Sequence, residues 1–140
     1  MAIVRVPSAS AIPANGTATV ATTQSTTSDS YTDLATAGPA VTLTTGTKAL
    51  VIVTGNMNCN STNDRPFMSF EVSGATTIAA SDINAAIANV YNNNFKSFRF
   101  SAATVVTLTA GSNTFTAKYR GDSGATFTFL DREIFVINLA

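Results

Sequence analysis

The sequence predicts an all-β domain, an antiparallel sandwich of about eight to ten short strands with at most one short helix. Three observations predict it. Short segments alternate apolar and polar residues with a period of two, as half-buried strands do. Clusters of Gly, Asn and Ser separate those segments and supply turns. Thr is abundant throughout, and its β-branched side chain suits a pleated surface.

The chain has 140 residues, the length of one domain. A chain of this size buries roughly 68% of its unfolded surface, enough for a core without staples. Hydrophobic residues make up 45% and nine Phe are spread along the chain, so the composition is not that of a disordered protein. Charged residues are only 11%, and the eight Lys and Arg balance the eight Asp and Glu. Low charge at zero net charge is poor for colloidal solubility and suits a surface covered by assembly. The same balance leaves no basic patch to displace counterions, which argues against nucleic acid. The first residues lack the basic start and long apolar stretch of a signal peptide. No apolar run approaches the roughly 20 residues of a membrane span, so the sequence points away from membranes.

Along the chain, residues 1–16 read as an arm and residues 17–140 as the folded domain. Ile3, Val4, Arg5 and Val6 form the apolar part of the arm, and Pro7 and Pro13 interrupt pairing. A first strand plus loop of the same domain fits the pattern equally well. Thr17–Thr27 is Thr-rich with modest alternation. Tyr31–Leu34 is a short strand, Gly38-Pro39 a turn, and Val41–Thr44 another strand. Lys48–Val53 is almost continuously apolar and predicts a central strand. Asn56–Asp64 reads as an Asn-rich loop carrying Cys59.

Phe67–Ser73 alternates. Ser81 followed by Asp82, Ile83, Ala86, Ile87 and Val90 has helical spacing, with Ser81 as the N-cap of the one short helix. Phe95, Phe98 and Phe100 open the next strand. Ala103–Thr109 and Thr114–Arg120, on either side of Ala110–Asn113, read as the clearest hairpin in the chain.

The sequence contains little that could do chemistry. Without His, a Ser-His-Asp or Cys-His arrangement and a His-based metal site are ruled out. Cys59 is a lone thiol with no base, and it can form no internal disulfide. The carboxylates are scattered, with no marked pair for glycoside hydrolysis. The loop before Asp64 lacks the spacing and acidic density of an EF-hand. There is no Gly-rich phosphate loop. Trp, a common sugar platform, is absent, and the Phe residues sit at alternating strand positions that read as core. The expectation is therefore a non-enzyme without metal or cofactor.

The closing stretch is the most informative. Phe127 and Phe129 alternate with Thr, Asp131-Arg132-Glu133 interrupts, and Ile134–Ile137 is apolar on both faces. A second apolar face asks for another layer, which in a small domain is often another subunit. The candidate subunit contacts are Phe127, Phe129, Arg132, Ile134 and Val136. Phe135, Ile137 and Leu139 share one face of the last strand, Ile134 and Val136 the other. One set fills the sandwich and one meets a neighbour, and the pattern leaves the assignment open. Arg132 reads either as part of an exposed bulge or corner, or as the partner of a carboxylate at a subunit contact.

Leu108–Arg120, the Gly-bounded loop after it, Ala125-Thr126-Phe127 and Asp131–Ile137 together resemble the ending of a family of small trimeric jelly-roll proteins. These have tumour-necrosis-factor-like topology and are widespread in bacteriophage genomes. Ser30–Leu34, Gly38–Leu43 and Ala49–Val51 resemble that family's opening strands, so the resemblance runs from about Thr22 to Leu139. Residues 1–16 and 56–94 match less well. The resemblance implies a jelly-roll homotrimer on the exterior of a virion, made in the host cytoplasm. The implied role is that of a capsid decoration (cement) or head-fibre protein with the major capsid protein as partner. Ile3–Val6 would then be the candidate capsid-contact arm. A tail-fibre or spike tip binding a host glycan is the alternative. The family brings no shared catalytic residues.

Overall fold

The computed structural model describes residues 13–89 and 97–140. Within them the chain forms nine strands: β1 (Asn15–Val20), β2 (Gln24–Thr26), β3 (Ala40–Thr45), β4 (Lys48–Cys59), β5 (Pro66–Gly74), β6 (Ala86–Ile87), β7 (Phe98–Thr107), β8 (Gly111–Gly121) and β9 (Phe127–Asn138). They build two antiparallel sheets packed face to face as a jelly-roll-like sandwich. One runs β1-β9-β4-β7, with β2 also pairing with β9. The other runs β3-β8-β5-β6. We call them the β9 sheet and the β8 sheet.

Each sheet is centred on strands whose sequence is apolar on the inner side. β4 turns Ala49, Val51, Val53, Met57 and Cys59 inward, all at or near zero exposure. β8 does the same with Phe115, Ala117 and Tyr119, and β5 with Met68, Phe70 and Val72. The rings of Tyr119 and Phe129 meet across the sandwich at 4.9 Å, a tilted aromatic pair.

Asp131-Arg132-Glu133 does not separate two strands. It lies inside one long strand that holds a bulge. Glu133 stands opposite Thr54 and Leu130 opposite Asn56, so β9 spends one residue more than β4 over this interval. Asp131 takes up the bend in the left-handed region (φ 49°), and Asn56 Nδ2 donates to its carboxylate at 2.9 Å. The extra residue flips the alternation. Before it, odd positions Phe127 and Phe129 face inward; after it, even positions Arg132, Ile134 and Val136 do.

Several other expectations change. Residues 103–107 and 114–120 lie in strands, but not in a hairpin: β7 pairs with β4, whereas β8 pairs with β3 and β5. The link between them turns from one sheet to the other. Leu108 is buried, with its N–H on Thr47 O, and Asn113 Nδ2 gathers Thr45 Oγ1 and Thr109 O at 2.8 and 3.0 Å. Alternation marks a strand but not its partner.

The expected helix after Ser81 is a single 3-10 turn (Asp82–Asn84) followed by β6. Ser81 makes no side-chain cap. Its main chain is instead held by Ser69 Oγ, and Ala86–Ile87 pair with Met68–Phe67 on the edge of the β8 sheet. Val90, the end of that expected helix, lies outside the described residues. Tyr31–Leu34 is reduced to one bridge, Thr32 to Tyr119. β4 continues through Cys59, so the Asn-rich loop begins only at Asn60. The β9 sheet takes in Asn15 and Gly16, which the sequence reading gave to the arm. Ile3, Val4, Arg5 and Val6 lie outside the described residues.

Candidate assembly surface

The outer faces of the two sheets differ in character. On the β9 sheet, strand register sets outward side chains in rows. Ile137 lies opposite Leu50 and Leu50 opposite Val105; in the next row Phe135 lies opposite Ile52 and Ile52 opposite Ala103. These six residues form one apolar patch across β9, β4 and β7. Val105 is 58% exposed, Phe135 36% and neighbouring Leu139 49%. The next row is polar: Glu133, Thr54 and Ser101, with Ser101 Oγ donating to Thr54 Oγ1 at 2.7 Å. Arg99 closes that side by pairing with Glu133 at 3.1 Å. A groove of about 340 Å³ continues the patch along the seam of β1 and β9, beside Phe135 and Ile137.

The outer face of the β8 sheet is polar and internally ion-paired. Lys118 Nζ bridges Asp33 (2.8 Å) and Glu71 (3.1 Å). Arg120 grips Asp82 with two guanidinium nitrogens, and Tyr31 Oη donates to the same carboxylate at 2.9 Å. The Arg120 guanidinium lies 3.9 Å over the Phe67 ring, and Arg65 joins Asp122 at 2.6 Å. Such pairs stay comfortable in water. Arg120's hydrogen bonds hold the Asp82 carboxyl below its ordinary range, against a smaller opposing effect of burial. Burial at Lys118 disfavours its charge, but the Asp33 and Glu71 bonds outweigh this and raise its pKa.

The five expected subunit contacts are corrected by this geometry. Phe127, Phe129, Arg132, Ile134 and Val136 each have zero exposure within their own chain. They fill the sandwich and leave no surface for a neighbour. The bulge is the reason, because it points both halves of the stretch inward. The outward set is Phe135, Ile137 and Leu139. Leu50, Ile52, Ala103 and Val105 join it, and sequence reading missed them. Their signal was present in Lys48–Val53, whose apolar run leaves Leu50 and Ile52 on the side opposite the core.

Arg132 meets no carboxylate. Its guanidinium donates to Gln24 Oε1 (2.9 Å), Thr22 O (3.3 Å) and Gly38 O (3.4 Å), and Nε has no partner. Gly55 lies beside it: a Cβ there would meet Met68 Sδ tightly at 3.2 Å and Arg132 in ordinary contact at 3.6 Å. Cys59 is buried, and burial pushes its thiol pKa up. Among the described residues no helix is long and apolar enough to cross a membrane.

The fold and its surfaces define a jelly-roll-like β-sandwich. Solved structures share that fold. The chain is similar to Eiger TNF from S. frugiperda, at 14% identity and a TM-score of 0.59, over 91% of this chain and 94% of that one. It is also similar to a chain in the structure of infectious bursal disease virus Gx strain, at 12% identity and a TM-score of 0.51. That match covers 99% of this chain and 36% of the viral one. At such identities the likeness is one of fold. No protein-family model matches the chain, and no curated protein matches it.

Proposed function

We propose that this is a non-enzymatic virion structural protein: a phage homotrimer that decorates the capsid exterior as a cement or head-fibre protein, bound to the major capsid protein. The observation that carries the reading is the apolar face of the β9 sheet, opposite a face whose charges are already paired. Patches of this kind mark interaction sites. A standard interface removes about 800 Å² per partner, and apolar area contributes about 25 cal/mol per Å². A closed ring of copies covers the patch on every subunit, whereas a monomer leaves it wet. The jelly-roll likeness and the low overall charge support the reading, as does the resemblance of residues 22–139 to trimeric phage virion proteins.

The glycan-binding alternative draws no support from the described tyrosines. Tyr119 is buried and Tyr31 is half-buried and committed to Asp82.

Light scattering of the purified protein is expected to give three times the 14.5 kDa chain mass. Imaging of virions is expected to find the trimers arrayed on the capsid. A few copies confined to the tail would refute the decoration role.

A further inference from the structure

We infer that Asn15-Gly16 is a self-modification site. When the start of β1 parts from β9, the Gly16 nitrogen attacks the Asn15 side chain, and the amide becomes a carboxylate beside the apolar face. The inference does not depend on the trimer reading.

Asn15-Gly16 is the one place in the sequence where Gly follows Asn. Glycine has no Cβ to crowd its own nitrogen and reaches conformations closed to other residues. The nitrogen after Asn15 is therefore less obstructed than that after any other Asn of the chain. Packing demands this glycine. A Cβ at position 16 would stand 2.7 Å from Cγ1 of the buried Val41 and 3.5 Å from Leu43 Cδ2, where β1 packs on β3. Asn15 itself is exposed. Among the described residues its amide is tied only to Pro13 O, at 3.0 Å, two residues back along the chain.

The ladder is what holds the reaction back. Ala14 O accepts the Asn138 N–H at 2.8 Å. Asn15 stands opposite Ile137 and Gly16 opposite Val136. Hydrogen-bonded pairs alternate in an antiparallel ladder, so Gly16 and Val136 form the next such pair and the Gly16 N–H is engaged. The nucleophile is thus the group that pairs β1 with β9. Asn15 is the first residue of β1, and β1 lies at the edge of its sheet. Strand ends open more readily than strand centres.

Once the pair opens, base removes the Gly16 amide proton and the nitrogen bonds to Asn15 Cγ. The Cγ–Nδ2 bond breaks as Nδ2 takes up a proton and leaves as ammonia. The product is a cyclic imide, which water opens. Water at the side-chain carbonyl gives aspartate, and water at the main-chain carbonyl gives isoaspartate. Either product puts a carboxylate opposite Ile137, in a groove whose lining carries no charged residue. Isoaspartate also lengthens the main chain by a methylene, so Ala14 loses its register with Asn138. A modified chain carries a charge at the margin of the face formed by Phe135, Ile137, Ile52 and Leu50.

The test is peptide mapping by mass spectrometry after the full chain has stood in mildly alkaline buffer, with and without denaturant. In the folded chain, conversion is expected at Asn15 ahead of every other Asn, the exposed Asn63 included, with isoaspartate among the products. Denaturant is expected to speed it at least about tenfold, because opening of the ladder no longer limits the rate. Another Asn converted before Asn15 in the folded chain overturns the inference, as does an Asn15 that reacts only in denaturant. Equal rates in the folded and denatured chains overturn it by removing the ladder as the gate. Asn15→Gln keeps an amide but needs a larger ring, and it is expected to stay intact with an unchanged melting temperature. Loss of that amide at the wild-type rate would assign the conversion to direct hydrolysis and overturn the route through Gly16.

Discussion

Arg132 lies over the Tyr119 ring, 5.3 Å from its centroid, and both side chains donate to one carbonyl, Gly38 O, at 3.4 and 2.8 Å. That carbonyl is the point where the bulged strand β9, the central strand β8 and the loop before β3 are tied together. A fully buried guanidinium without a carboxylate is costly, so its retention points to what it holds in place.

Removing Arg132 therefore separates two effects. Arg132→Ala leaves a cavity beneath Tyr119 and is expected to destabilise the fold by about 3 kcal/mol or more. Arg132→Met keeps most of the volume and removes the buried charge. The remaining acceptors cope, because Gly38 O still accepts from Tyr119 and Gln24 Oε1 still accepts from Thr36 N–H at 3.1 Å. Thermal unfolding should place the Met variant much closer to the wild type than the Ala variant. Equal losses would mean that the charge itself, rather than the packing, is needed.

The apolar patch makes a prediction about assembly. Ile52→Asp and Val105→Asp put a carboxylate in the centre and on the β7 side of the patch. If the chain is the proposed trimer, each should convert it to a species of 14.5 kDa in light scattering, with an unchanged far-ultraviolet β spectrum. Thr116→Asp, on the outer face of the β8 sheet opposite Glu71, should leave the trimer intact. Loss of the trimer in that control as well would show that charge anywhere disrupts it.

The acid limb of stability should carry the mark of Asp82. Its folded pKa lies below the unfolded value because Arg120 bonds the ionised form, with burial opposing and Tyr31 adding to the effect. A depressed carboxyl contributes stability that is present above the unfolded pKa, about 3.9. That contribution is lost as pH falls through the lower folded value. Asp82→Asn should thus melt below the wild type at pH 7, and the gap should close as pH falls under that value. The Asp82 side chain is 52% exposed, so screening holds the gap to about 1 kcal/mol or less. Tyr31 acts at the other end of the scale. Burial, then its bond to Asp82, raises its pKa. Its contribution is therefore present below about pH 10, the ordinary tyrosine value, and fades as pH climbs towards the higher folded one. A gap for Asp82→Asn that did not change with pH would remove the carboxylate from this account.

The sandwich itself was legible in the sequence because strands carry their own period. β3, β5, β8 and the first half of β9 stand where alternation placed them, and the second half where its apolar run did. What alternation lacks is partner information, and so β7 and β8 looked like a hairpin. The apolar outer surface was half legible. The second apolar face of Ile134–Leu139 was visible, but which set faced outward depended on a single extra residue at Asp131. Nothing in Asp-Arg-Glu alone distinguishes an exposed corner from a bulge that drives an arginine into the core. The helix expected after Ser81 failed for a related reason: Ser69 and Arg120, distant in sequence, compete for Ser81 and Asp82.

Close packing of the two sheets at the start of β9 gives the sharpest steric prediction. Gly121 pairs with Pro66 and donates its N–H to Ser28 O at 2.8 Å. A Cβ added there would stand 1.8 Å from Phe127 Cε2 and 2.1 Å from Cζ. Phe127 has zero exposure and nowhere to move. Gly121→Ala is therefore expected to cost about 1–3 kcal/mol or more, lowering the melting temperature by roughly 5–10 °C. Gly124→Ala is the control, since no atom lies within 4 Å of the added carbon, and it should change stability by less than about 0.5 kcal/mol. If the loss at Gly121 comes from the Phe127 ring, adding Phe127→Leu should recover part of it, as a favourable coupling in a double-mutant cycle. Additive losses in that cycle would show that the strain lies in the main chain rather than in the contact with Phe127.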